Sequence, residues 1–77
     1  MVTVAERHEA VALRRNIRLF RVHRGLSQRA LADRVGINRS AVGAYENGLA
    51  FPSVETLLRI ADALGVPVSR LFEETRL

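Results

Sequence analysis

Between Gly25 and Asn47 the chain reads GLSQRALADRVGINRSAVGAYEN, a stretch that admits few arrangements. Ser27 has the side chain of a helix N-cap, able to accept a hydrogen bond from the free N–H groups of a first turn. Leu26 before it is apolar, and Ala30, Leu31 and Val35 then recur at helical spacing on one face. Gly36 follows at once, where a helix C-terminus takes a residue tolerant of positive φ. Ile37 is placed to plug a core at the turn, and Asn38 to cap a second helix running through Ala41, Val42 and Tyr45. Asn47-Gly48 then stops it. Two helices with so short a connection cross at a large angle, which leaves the second free to project from the body of the fold.

The flanking segments supply the rest of a helical body. Thr3-Val4-Ala5-Glu6 has the form of a capping box, so a first helix starts there or later and runs to about Arg24. Leu13, Ile17 and Phe20 make its inner stripe, with Arg14, Arg18 and Arg21 on a neighbouring face. Leu49-Ala50-Phe51-Pro52 reads as a loop. Ser53 caps a fourth helix with Glu55 in its first turn. Val54, Leu57, Leu58, Ile60, Ala61 and Leu64 make that helix broadly apolar, which marks it as the core element. Gly65 ends it, Val66-Pro67 restarts the chain, and Val68 to about Glu74 forms a last short helix with Leu71 and Phe72 apolar. No repeat, low-complexity segment or β-hairpin signal is present. The expected architecture is all-α, a compact five-helix bundle forming one domain over residues 1–77. Its helix-turn-helix core lies at about 27–47, and residues 1–10 are a candidate N-terminal helical extension.

A hydrophobic fraction of 48% is ample for such a core, and 5% aromatics suit packed aliphatic side chains rather than a stacking platform. There is no cysteine, so neither a disulfide nor a thiolate metal site can form. No apolar run approaches the ~20 residues of a membrane span, and the start MVTVAERHEA has no signal-peptide apolar region. A cytoplasmic protein is the expectation. His8 and His23 stand at no metal-ligand spacing, and no Ser–His–Asp or paired-carboxylate set is apparent. A non-enzyme without cofactor or metal is expected.

The formal charge is +4, and all 12 basic residues are arginine. A coding preference for Arg over Lys explains much of that, but the distribution carries information. Residues 1–24 hold six Arg and two Glu, whereas residues 48–77 hold three Arg against three Glu and one Asp. The basic excess thus surrounds the two-helix unit and the acidic end lies away from it, as a polyanionic partner would require. A projecting second helix can enter a DNA major groove with its N-terminal turn first. Arg39 and Ser40 follow the Asn38 cap and occupy that turn. Arg39 can donate to both guanine acceptors, O6 and N7, from one planar fork, or it is a phosphate contact or a solvated surface charge. Gly43 and Ala44 lie one turn further on, small enough to let the backbone approach bases, with the Ala44 methyl suited to a thymine methyl. Close helix packing explains Gly43 equally well.

The run Ile17-Arg18…Arg21…Gly25-Leu26-Ser27-Gln28…Leu31-Ala32…Gly36-Ile37…Val42…Tyr45-Glu46-Asn47-Gly48…Pro52-Ser53…Leu57-Leu58…Ile60-Ala61…Ala63-Leu64-Gly65-Val66 resembles the Cro and phage-repressor (XRE-type) helix-turn-helix family. The likeness covers about residues 13–72 and implies a lambda-repressor-like DNA-binding fold. It also implies a transcription regulator acting as a homodimer on a double-stranded operator, with small autoregulators such as restriction–modification controller proteins the most similar kind. On the same likeness Gln28 bonds a DNA phosphate and braces the reading helix, Asn47 is a further phosphate contact, and Glu46 pairs with Arg21 to hold the third helix to the first. Leu-Ala-Phe at 49–51 departs from the polar or basic residues usual before Pro-Ser, and residues 1–10 lie outside the family pattern. An antitoxin that also represses its own operon is the alternative, and a further protein partner, RNA polymerase or a toxin, stays open.

Phe51, Leu71, Phe72 and Leu77 exceed what the five-helix core is expected to absorb. They form a candidate two-fold dimer interface, although at least one of Leu71 and Phe72 is expected to cap the core instead.

Overall fold

The computed structural model describes residues 7–74 and is all-helical over them. Four α-helices, α1 (His8–His23), α2 (Gln28–Val35), α3 (Arg39–Glu46) and α4 (Val54–Leu64), are followed by a 3-10 helix at Val68–Phe72. The expected fifth helix is therefore the tighter 3-10 form. The capping box at Thr3–Glu6 lies outside the described residues. α1 begins at His8, after an extended Arg7 that makes no side-chain cap bond.

Local chemistry explains the other boundaries. Ser27 Oγ accepts from Ala30 N at 3.0 Å, Asn38 Oδ1 from Ala41 N at 2.9 Å, and Ser53 Oγ from Thr56 N at 3.2 Å. Each satisfies a first-turn donor that has no partner within its helix. α2 ends on Gly36 at φ 83°, in the left-handed region that a side chain would strain.

One continuous core joins the elements: Leu13, Ile17 and Phe20 of α1, Leu31, Ala32 and Val35 of α2, Val42 of α3, Ile60, Ala61 and Leu64 of α4, and Leu71. Ile37 packs against it at the turn. Leu71 is fully buried, which corrects its placement on a dimer face: the 3-10 helix turns it inward while Phe72 stays partly exposed. Leu77 lies outside the described residues. α4 also differs from a simple core element. Ile60, Ala61 and Leu64 are enclosed, but Val54 and Leu58 remain 74% and 52% exposed, and Phe51 in the loop before the helix is exposed as well. The helix is apolar on two faces, of which the core takes one.

The polar residue Asn16 is fully buried within this core. Its side-chain amide donates to the carbonyls of Arg70, Leu71 and Glu73 at 3.2, 3.0 and 2.6 Å. Three oxygens on one side fix the amide with nitrogen toward them. Asn16 thus anchors the end of the described chain to α1, and Arg70 adds a cation–π contact, 5.7 Å from the centroid of Phe20. At the C-terminal end of α1, Arg24 Nε donates to the Leu64 carbonyl at 2.8 Å, placing a cation at the C-terminus of α4.

Candidate nucleic-acid interface

The frame that carries α3 is built from one buried ion pair. Arg21 Nε donates to Glu46 Oε2 at 2.6 Å and Arg21 Nη2 to Glu46 Oε1 at 3.0 Å, a two-point contact between α1 and the last residue of α3. The side chains are only 12% and 4% exposed. Arg21 Nη1 donates in addition to the Leu26 carbonyl at 2.8 Å, in the turn before α2. Gln28, the first residue of α2, donates from Nε2 to Glu46 Oε1 at 3.2 Å. Its amide oxygen lies at contact distance from where a Cβ on Gly43 would stand. Three helices meet through these groups, and Glu46 is thereby neutralised where an uncompensated acid would repel a polyanion.

Above that frame the first turn of α3 faces solvent. Asn38, Arg39 and Ser40 are exposed, and the described residues offer Arg39 no hydrogen-bond or ion-pair partner. The Ser40 hydroxyl donates to Asn38 Oδ1 at 2.7 Å, so its proton is engaged in the cap while its oxygen is free to accept. Gly43 and Ala44 are half-buried one turn along, and Asn47 is the exposed residue closing the helix. Arg39 and Ser40 therefore share one end of α3, Gln28 lies against its middle, and Asn47 closes the other end.

Two features escape sequence reasoning. Gln28 is bound to Glu46, 18 positions away, and no local spacing signals that bond. Val54 and Leu58 were expected in the core, and only the crowding of apolar residues on α4 hints at a second apolar face, which is exposed. Among the described residues no helix is long and apolar enough to cross a membrane, and no group of three His, Cys, Asp or Glu is placed to hold a metal ion.

The arrangement matches known proteins. The helix-turn-helix family model HTH_3 fits residues 17–71. The chain is 36% identical over 59 residues to the cryptic phage CTXphi transcriptional repressor RstR of Vibrio cholerae, covering 77% of this chain and 53% of that one. It is 40% identical over 55 residues to the SPbeta prophage-derived HTH-type transcriptional regulator YonR of Bacillus subtilis, covering 71% and 51%. The chain thus spans about half the length of these curated relatives. Among solved structures, the restriction-modification controller protein C.AhdI from Aeromonas hydrophila superposes with a TM-score of 0.78 at 36% identity, over 82% of this chain and 96% of that one.

Proposed function

The chain belongs to the HTH_3 helix-turn-helix family, and from that premise we propose that it is a sequence-specific DNA-binding transcriptional regulator. In this reading it acts as a homodimer on an inverted-repeat operator and controls its own expression. The observation that carries the reading is the exposed first turn of α3, with Arg39 unpartnered and the Ser40 oxygen free to accept, on a frame that Arg21, Glu46 and Gln28 hold fixed. Arg39 reads guanine from the major groove, Ser40 accepts from a base amino group, and Asn38, Gly43 and Ala44 let the helix seat closely. Gln28 and Asn47 position the protein on phosphates at the two ends of that seat.

One reading helix spans too few base pairs for high specificity, so a second copy is required. The exposed apolar residues Phe51, Val54, Leu58 and Phe72 support a two-fold interface that does not involve the buried Leu71. Such a dimer sets its reading helices about 34 Å apart, one turn of duplex. Selection of binding sites from a pool of random duplexes tests the reading. It expects an enriched inverted repeat whose half-site centres are about 10 base pairs apart, and enrichment of no sequence would overturn it.

A further inference from the structure

The seam between α1 and the C-terminal end of α3 holds charge that the interface described above leaves unused. Arg14, Arg15 and Arg18 line a groove along α1 that ends at Glu46. Arg14 and Arg18 are four residues apart on one helix face, a spacing at which like charges repel. None of the three is in an ion pair among the described residues. Glu46 does not compensate them, because its two oxygens are occupied by Arg21 and Gln28.

Arg14 is also placed. Its guanidinium lies over Gly48, at φ 73°, and a Cβ at that position would fall on Arg14 Nη1. Gly48 directly follows Asn47, the last cap of α3. A cation is thus stationed at the negative end of the reading helix, where the helix dipole alone would repel a phosphate.

We propose that Arg14, with Arg18 one turn on, forms a phosphate clamp on α1 that lies outside the helix-turn-helix. It receives the DNA strand that borders the major groove at the C-terminal end of α3. The inference rests on the DNA-binding reading and extends it to a second element of the fold. A guanidinium suits the task because its fork can take two phosphate oxygens at once. The absence of a side chain at Gly48 is then what lets Arg14 cross to the Asn47 end of the interface.

The test measures affinity of the full chain for a mixed-sequence duplex of about 30 base pairs across a salt series. Wild type is expected to bind with a steep log K against log[salt] slope. Arg14→Gln should lower the slope by about one per protomer and weaken low-salt binding about three- to tenfold. Arg14→Lys should restore most of both. Arg70→Gln, which removes the same charge on the Phe20 side, should change neither. Gly48→Asn, a residue that tolerates positive φ, should displace Arg14 and reproduce its loss, with little added effect in an Arg14→Gln background. An unchanged slope in Arg14→Gln, or an equal loss in Arg70→Gln, overturns the clamp. So does intact duplex binding by Arg14→Gln with lost retention on polyglutamate, which would reassign the groove to an acidic protein. No duplex binding by wild type at low salt would instead fail the DNA-binding reading itself.

Discussion

Asn16 donates its side-chain amide to the main-chain carbonyl of Glu73 at 2.6 Å, across 57 positions of sequence. With the Arg70 and Leu71 carbonyls on the same nitrogen, one core asparagine adds donors at the end of the 3-10 helix, where the Arg70 carbonyl also accepts from Glu73 N. Asn16→Ala is expected to destabilise the protein by about 1–3 kcal/mol, since the Leu71 carbonyl loses a buried donor. Asn16→Asp should cost more, because a carboxylate would face three carbonyl oxygens. Thermal unfolding followed by circular dichroism measures both. Equal stability of the Asp variant and wild type would mean that the amide does not hold the 3-10 helix.

Glu46→Gln should lower stability more than it alters the surface offered to DNA. The Arg21 guanidinium would stay enclosed and lose its counter-charge, at a cost of about 1–3 kcal/mol. For a domain of this size each kcal/mol lowers Tm by about 4–8 °C. A variant with the wild-type Tm and no DNA affinity would move Glu46 from the frame to the interface.

Arg39→Ala is expected to weaken binding to the selected operator by about 1–3 kcal/mol and to relax preference at one base position. Non-specific binding should barely change. Gel shifts at fixed salt, with operator and scrambled duplex in parallel, give the specificity ratio. An unaltered ratio removes Arg39 from base reading.

Leu58→Glu places a charge in the middle of the exposed apolar row of α4 without touching the core. The variant should keep its helical circular dichroism, sediment as a monomer at micromolar concentration, and lose operator affinity while retaining weak duplex binding. Wild-type protein that is itself monomeric under those conditions would remove the α4 row from assembly.

Local chemistry made the helix boundaries legible. Ser27, Asn38 and Ser53 each cap a helix through the N–H three residues on, and Gly36 and Gly65 each close one in the left-handed region. The stripe of Leu13, Ile17 and Phe20 reads directly as the inner face of α1. Features that depend on distant partners stayed hidden. Asn16 looks like a surface residue because its partners are main-chain carbonyls, which carry no sequence signature. Leu58 and Ile60 are equally apolar, and only the packing of α4 decides which is enclosed. At the candidate site, the position of Arg39 and Ser40 in the first turn of α3 follows from the Asn38 cap. The turn of the Ser40 hydroxyl toward Asn38, and the reach of Arg14 over Gly48, follow only from three-dimensional placement.

The bond network among Arg21, Glu46 and Gln28 fixes α1, α2 and α3 to one another in the free protein. On the proposed function, association with a duplex then needs no disorder-to-order step in α3, and the ordering cost within the protein falls on exposed side chains such as Arg39. Calorimetry should accordingly show a heat-capacity change in proportion to the surface brought into contact, without the larger decrement of a segment that folds as it binds.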